Sequence, residues 1–207
     1  MSIGIFTIVS IIVLASFIRH IVKEMSVKGM SNGQKLLGFT GSACVLYGAF
    51  AFFSSFILSA GDFKLQNNQE WPIGVAHNVL VYSDGTHIVP HEPSARVQIY
   101  DANLRFLRGW HINTYGGVMK LIPGDENYFE VYTARGNERL RFDLLGNLIS
   151  SENYEKGLYS KLPSVGHTLK IPTPIYLLVF AHRFAAWALI VAGSILLWGA
   201  KRKGESQ

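Results

Sequence analysis

Charge is missing from long stretches of this chain, and those stretches decide what it can fold into. Leu36 to Ala60 runs without a charged side chain, Ile3 to Ile18 is apolar apart from Gly4, Thr7, Ser10 and Ser16, and Ile175 to Ala200 carries only His182 and Arg183 as ionisable groups. A soluble core spreads its apolar residues at helix or strand period, whereas a bilayer core of ~30 Å asks for ~20 of them in succession. The chain is therefore expected to carry three transmembrane helices, over 1–22, 36–60 and 174–200. A loop at 23–35, a hydrophilic segment at 61–173 and a tail at 201–207 complete the division.

The first run is expected to stay as an anchor. No Lys or Arg precedes it, and Arg19-His20-Ile21-Val22-Lys23 stands where a cleaved signal would place small residues. Arg19, Lys23, Lys28 and Lys35 outweigh Glu24 between the first two runs, and Lys201, Arg202 and Lys203 outweigh Glu205 after the third. Basic flanks of this kind stay cytoplasmic, which puts the N-terminus and residues 61–173 on the extracytoplasmic side of a membrane such as the bacterial inner membrane. The net charge of +5 has the same origin, because basic and acidic residues nearly balance between Asp62 and Thr173. It points to anionic lipid at the cytoplasmic face and not to nucleic acid. Cys44 is the sole cysteine, so no intramolecular disulfide is available.

Within 61–173 the pattern changes to alternation broken by turns. "NVLVYSDGTHIVPHE" reads as a hairpin with Asp84-Gly85 as a two-residue turn, which sets Tyr82 opposite His87 and Asn78 opposite His91. "ARVQIYD" and "LRFLRGW" follow, joined at Asp101-Ala102-Asn103; after Tyr115-Gly116-Gly117 the order repeats as "VMKLIP", "YFEVYTA", "ERLRFDL" and "NLISSENY". Asp101 answers to Asp143 and Val97 to Leu140, and because the second spacing is longer by one, the copies align with a one-residue gap. A four-stranded meander repeated at ~40 to 45 residues is the unit of a β-propeller. The fold class is thus membrane α + β, three helices with an extracytoplasmic all-β domain of two four-stranded antiparallel sheets over ~75–112 and ~117–154. The expected core between the sheets is Val79, Val81, Ile88, Val97, Ile99, Val118, Leu121, Phe129, Val131, Leu140 and Phe142.

The region 71–154 resembles the NHL family of β-propeller repeats in Gly74-Val75-Ala76, Asp84-Gly85, Arg96-Val97 and Tyr100-Asp101. The second copy keeps Gly117-Val118, Arg139-Leu140 and Phe142-Asp143, with Asp125-Glu126 in place of the Asp-Gly turn. The resemblance implies blade-like sheets and an interaction surface, and it names no catalyst. Two blades do not close a ring. The sheets either pack on each other as a sandwich or half-propeller, or other chains supply further blades.

Candidate sites lie mostly in the helices. Gly41, Cys44, Gly48, Ala51 and Ser55 form one small-residue stripe, and Ala181, Ala185, Ala188, Ala192 and Gly199 form another, which suits close packing between these helices or against foreign ones. Arg183 would lie ~12 Å inside a helix starting at Ile175, where an unpaired charge costs on the order of 2.5 kcal/mol or more, and Asp62 is its one internal partner. His182 is a candidate ligand for haem or another tetrapyrrole, although a structural role fits it better. His77, His87, His91 and His111 cluster along the first copy, but His87 and His91 are spaced ~13 Å along one strand, too far for one ion. No nucleophile elbow, P-loop or zinc-protease motif occurs, so no enzyme and no cofactor of its own are expected. The reading is a non-enzymatic accessory subunit that binds other membrane subunits or itself. The alternatives are an extracytoplasmic sensor acting through a partner and a tetrapyrrole-carrying subunit.

Overall fold

A computed structural model describes residues 31–60, 64–125 and 127–205, together with Ala15, Arg19 and Lys23. Asp62 and, but for Ala15 and Arg19, the expected helix over 1–22 lie outside the described residues. The chain divides into two compact units, residues 1–51 with 184–207, and residues 52–183.

Helix α1 spans Asn32–Ala60 and starts earlier than its uncharged run. The cause is a capping box: Gln34 N–H donates to Ser31 Oγ (3.3 Å) while Ser31 N–H donates to Gln34 Oε1 (2.7 Å). Among the described residues three further helices come later in the chain: α2 (Leu158–Lys161), α3 (Leu178–Ala181) and α4 (Arg183–Glu205). Asn32–Ser59 and Arg183–Lys201 are long and apolar enough to cross a membrane. In the first unit α1 and α4 meet where glycines allow it. A Cβ on Gly41 would stand 2.7 Å from the Gly193 carbonyl oxygen, and one on Gly48 would stand 2.7 Å from that of Ala186.

The expected single helix over 174–200 is interrupted. A 3-10 turn (Ile175–Leu177) and α3 come first, and His182 is extended (φ −133°, ψ 117°) before α4 begins. Arg183 is therefore the first residue of α4 and not a charge inside a continuous span.

Among the described residues the second unit holds nine strands in two antiparallel sheets. The first contains β1 (Val75–Val81), β2 (His87–His91), β3 (Arg96–Tyr100), β4 (Phe106–His111) and β9 (His167–Lys170) in the order β4-β3-β2-β1-β9. The second contains β5 (Met119–Pro123), β6 (Tyr128–Thr133), β7 (Glu138–Asp143) and β8 (Leu148–Asn153) in sequence order. The fifth strand of the first sheet was not expected. β9 is short, and it pairs with β1 across a bulge at Asn78, which sits at φ +58°.

The β1–β2 loop corrects the predicted register. Tyr82 N–H donates to the Thr86 carbonyl (2.9 Å), and Gly85 N–H to that of Tyr82 (3.0 Å), which closes a three-residue loop with Gly85 at φ +81°. Val81 therefore pairs with His87 and Leu80 with Ile88. A shift of one residue exchanges faces. Leu80 enters the shared core, Val81 is exposed, and Val79 joins a second cluster on the other side of the sheet. Val118 is also exposed, and Met119 and Leu121 supply that edge of the core.

The aspartate echo has a local cause. Asp101 Oδ1 accepts from the N–H groups of Asn103 (2.8 Å) and Arg105 (2.9 Å), and Asp143 Oδ1 accepts from Asn147 N–H (2.7 Å). Each aspartate closes a three-residue loop whose last residue has positive φ, Leu104 at +58° and Gly146 at +83°. The bulges match too, between Ile99 and Tyr100 and between Arg141 and Phe142. The backbones thus repeat with the spacing of Asp101 and Asp143, yet the side chains facing the shared core do not. Ile99 and Val97 face it two and four positions before Asp101, whereas Phe142 and Leu140 face it one and three before Asp143. The one-residue gap in the alignment is this change of face: the two sheets meet through opposite sides of the same meander.

Candidate functional site

The face of the first sheet turned away from the shared core carries a buried polar cluster. Arg96, Gln98 and Tyr100 alternate along β3 on that face, each fully enclosed. Among the described residues the Arg96 guanidinium meets no carboxylate; it donates to the carbonyls of Leu65 (3.4 Å), Gln66 (2.9 Å), Gln69 (2.7 Å) and Gly109 (3.0 Å). Burial pulls its pKa down to about 10, so it keeps its charge at neutral pH. Gln98 takes both backbone groups of Trp71, accepting from N–H at 2.6 Å and donating to the carbonyl at 3.0 Å. It also donates to Tyr100 Oη (2.7 Å), which donates to Glu70 Oε1 (3.0 Å). The phenol is pushed up, first by burial and then by the Glu70 charge. These side chains pin residues 65–71 across the sheet. Gly109 is required beneath them, because a Cβ there would stand 2.9 Å from the Val97 carbonyl oxygen and 3.0 Å from Arg96 Nε.

His91 and His111 sit beside this clamp as neutral rings. Ser94 hydroxyl donates to His91 Nδ1 (2.8 Å), and His91 Nε2–H donates to the Ala181 carbonyl (3.0 Å), the last of α3. Leu65 N–H donates to His111 Nε2 (3.1 Å), leaving Nδ1–H for the Ser94 carbonyl (3.2 Å). Both pKa values fall to about 4, mainly through burial. Ser94 and His91 have the contact of a nucleophile and its base, but both are buried, and the second ring nitrogen faces a carbonyl where catalysis would use a carboxylate. Arg183 donates to the Pro93 carbonyl (2.8 Å), and Ser55 hydroxyl to that of Phe180 (3.3 Å). Trp71 packs edge-on to Phe180 at 5.8 Å. The β-domain thus supplies hydrogen bonds where the helix is broken at His182.

The expected site residues distribute as follows. Arg96, Tyr100 and Asp101 share the first sheet with the Asp84-Gly85 loop; Asp84 accepts from Thr86 N–H and Oγ1 (both 2.8 Å). Arg139, Phe142 and Asp143 lie on β7. Arg139 and Arg141 flank Glu130, whose carboxylate lies 2.5 Å and 3.1 Å from them and also accepts from Tyr132 Oη (2.9 Å). Burial raises the Glu130 pKa, and the hydrogen bonds from Arg139, Tyr132 and Arg141 outweigh it, so the net shift is down. Gly41, Gly48 and Ala51 are buried along α1, with Cys44 partly so. Ser55 and Ala181 are buried in the second unit. On α4 the buried small residues are Ala186, Gly193 and Ala200, whereas Ala188 and Ala192 are exposed and Ala185 and Gly199 are partly so. That stripe lies on a different face from the one α1 occupies. His182 is exposed, with Nε2 beside Gly74. His91 has both ring nitrogens engaged.

Among the described residues no three His, Cys, Asp or Glu side chains converge as metal ligands would. A groove of about 350 Å³ lies between Val79–Ser83, Pro123–Asp125 and Val165–His167. Sequence reasoning missed Gln98, His91 with Ala181, and Arg183 with Pro93. The signals were weak ones: a Gln between two apolar strand residues, and a proline-flanked start to the last apolar run. The chain matches no protein-family model, no curated protein and no solved structure.

Proposed function

We propose that this chain is a membrane-anchored, non-enzymatic accessory subunit whose helices dock in a bilayer and whose β-domain contacts a partner on the extracytoplasmic side. One observation carries the reading: the two long apolar helices are mostly exposed. Only 33% of the most apolar stretch of α1 and 17% of that of α4 are covered by protein, and Phe39, Phe53, Phe56, Trp187 and Ile195 are each more than half exposed. Water does not tolerate such surface on a monomer, whereas lipid does. The glycine contacts at Gly41 and Gly193 suit helix pairing without a hydrophobic driving force. The opposite-face stacking of the two meanders supports a blade-like, NHL-type reading of the β-domain, since successive propeller blades also meet front to back. The cytoplasmic tail, the first anchor and a bacterial inner-membrane location belong to the same proposal.

The test is extraction of native membranes with alkaline carbonate, followed by mild-detergent purification. The chain is expected to stay with the membrane and to co-purify with other subunits. Release by carbonate would overturn the anchoring, and a lone chain in detergent would overturn the accessory role. Gly41→Leu and Gly193→Leu are expected to separate α1 from α4, read as lost cross-linking between cysteines placed on the two helices.

A further inference from the structure

The two meanders end in equivalent strands that differ in one respect. In the first sheet β4 is an edge, and its outward backbone is covered: Gly109 N–H, which points away from β3, donates to the Asn67 carbonyl at 2.8 Å. The repeat that carries Asp101 onto Asp143 carries Gly109 onto Ser151 in β8, the edge of the second sheet. The hydrogen bonds fix that it has the same orientation. Ile112 N–H donates to the Ala95 carbonyl (2.8 Å), and Tyr154 N–H to the Asn137 carbonyl (2.8 Å), the equivalent pair in the second meander. Counting back by strand parity, Glu152 and Ser150 bond inward to β7, so Ser151 and Asn153 present N–H and C=O outward. The described chain lays no segment there, and β8 is exposed at Leu148, Ile149, Ser151, Glu152 and Asn153.

An open edge is usually short, bulged, or guarded by Pro or Lys. The other edge of the second sheet follows the rule, since β5 has Pro123 and Lys120, and Lys120 is tied to the carbonyls of Tyr159 (3.1 Å) and Leu162 (2.8 Å). β8 is bulged at Ile149 and carries the charged Glu152, but from Ser150 to Asn153 it has neither Pro nor Lys. Its charge setting is also reversed. Arg96, whose guanidinium grips the covering segment on β4, has Glu138 as its equivalent in the second meander. Glu138 pairs with Asn153, and Glu152 is 61% exposed on the other face, only 3.8 Å from the Arg139 guanidinium.

We infer that β8 is a docking edge for an extended segment of a partner protein, which lies along Ser150–Asn153 as residues 65–69 lie along β4 and carries basic side chains to meet Glu138 and Glu152. Backbone hydrogen bonds to Ser151 and Asn153 would hold the segment, and the acidic flanks would select its sequence. The inference rests on the reading of the β-domain as a partner-binding module. It does not involve the helices, so carbonate extraction and peptide binding succeed or fail separately.

The experiment uses the full chain in detergent and three synthetic octapeptides: alternating Val-Lys, the same peptide N-methylated at alternate amides, and alternating Val-Glu. Val-Lys is expected to bind and to slow hydrogen exchange at the Ser151 and Asn153 amides. N-methylation or Glu for Lys should weaken binding at least tenfold. Ser151→Pro removes an outward N–H without touching the ladder to β7, so it should weaken binding by a similar factor at unchanged unfolding temperature. Glu152→Lys, a surface change that leaves the backbone alone, should shift preference toward Val-Glu. Val-Lys binding that ignores both variants would overturn the inference, as would Ser151 and Asn153 amides already protected without peptide. Self-association abolished by Ser151→Pro would assign the edge to a second copy of this chain and overturn it equally.

Discussion

In the first sheet the face turned from the shared core lies under its own chain, with Arg96, Gln98 and Tyr100 enclosed and residues 65–71 laid over them. In the second sheet the outward face carries Glu130 between two partly exposed arginines, and no described strand pairs with the outer edge of its last strand. The same backbone repeat therefore ends in two ways. A blade inside a propeller is covered by the next blade; here one terminal face is roofed by the chain and the other is made polar. A buried core closes between the two meanders.

Removal of Arg96 tests that contrast most severely. Arg96→Leu leaves the carbonyls of Leu65, Gln66, Gln69 and Gly109 without their donor inside a buried site. Each buried carbonyl left without a donor costs ~1–3 kcal/mol. The expected outcome is a chain that unfolds at much lower denaturant and is cut by protease within 64–71. Arg139→Leu, on the open face, should cost no more than ~1 kcal/mol. If the two variants were equally stable, the distinction between a roofed and a polar face would fall.

The next largest effect is a pH dependence confined to the roofed side. His91 is neutral in the fold, with a pKa near 4 against about 6.5 for an exposed imidazole. A depressed imidazole pKa stabilises the fold fully above the unfolded value, and the contribution is lost as pH falls from about 6.5 toward 4, where the unfolded chain takes up a proton that the folded chain refuses. For so buried a ring the loss is on the order of 3 kcal/mol. His91→Gln should remove its share of this arm, and His111, also held near 4, keeps the rest until it too is replaced. Titration of His91 by NMR near pH 6.5 in the folded chain would remove the effect.

Some of this was legible in the residues and some was not, for physical reasons. Asp101 and Asp143 announce their loops because an aspartate carboxylate caps the free amides of a tight turn, and that requirement is local. Strand existence follows from alternation in the same way. The β1–β2 register does not, because Ser83-Asp84-Gly85 makes a loop of three residues from a dipeptide that also serves loops of two. β9 lacks a local signal, since its pairing with β1 joins the two ends of the β-domain (Val75 with Lys170, Ala76 with Leu169). The break at His182 is hidden for a similar reason. An apolar run interrupted only by His182-Arg183 reads as one helix, and the group that takes up the freed Ala181 carbonyl, His91, and the acceptor for the Arg183 side chain, Pro93, are remote in sequence.

A smaller effect compares the two aspartate loops directly. Their last residues share the left-handed conformation, but one is Gly146 and the other Leu104. Gly146→Ala should cost ~1–2 kcal/mol from the strained backbone alone, and more because a Cβ would stand 2.5 Å from the Trp110 ring. Leu104 already bears that strain and packs against the second cluster, so Leu104→Ala should lose packing without changing backbone strain. Denaturation of both variants, with Trp110 fluorescence as the probe, should show a spectral change only for the first.

The smallest effect belongs to Glu130, and its smallness is what the comparison asserts. Its carboxylate is 8% exposed, but the arginines that meet it are 34% and 32% exposed. Glu130→Gln keeps the shape and the hydrogen bond from Tyr132, and it leaves two guanidinium groups that can turn to water. Such a pair contributes ~1 kcal/mol or less, further reduced by salt. The sign with pH is opposite to that of His91 in origin but not in direction. The folded Glu130 pKa is depressed, so its stabilisation is present above the unfolded carboxylate value and is lost as pH falls through the lower folded value. Acid therefore strips the roofed sheet first, through His91 below about pH 6.5, and the polar sheet second, below the carboxylate range. Hydrogen exchange as pH is lowered should show β2 and β3 opening before β6 and β7. The reverse order would mean that the arginine-flanked carboxylate, and not the buried clamp, holds the domain together.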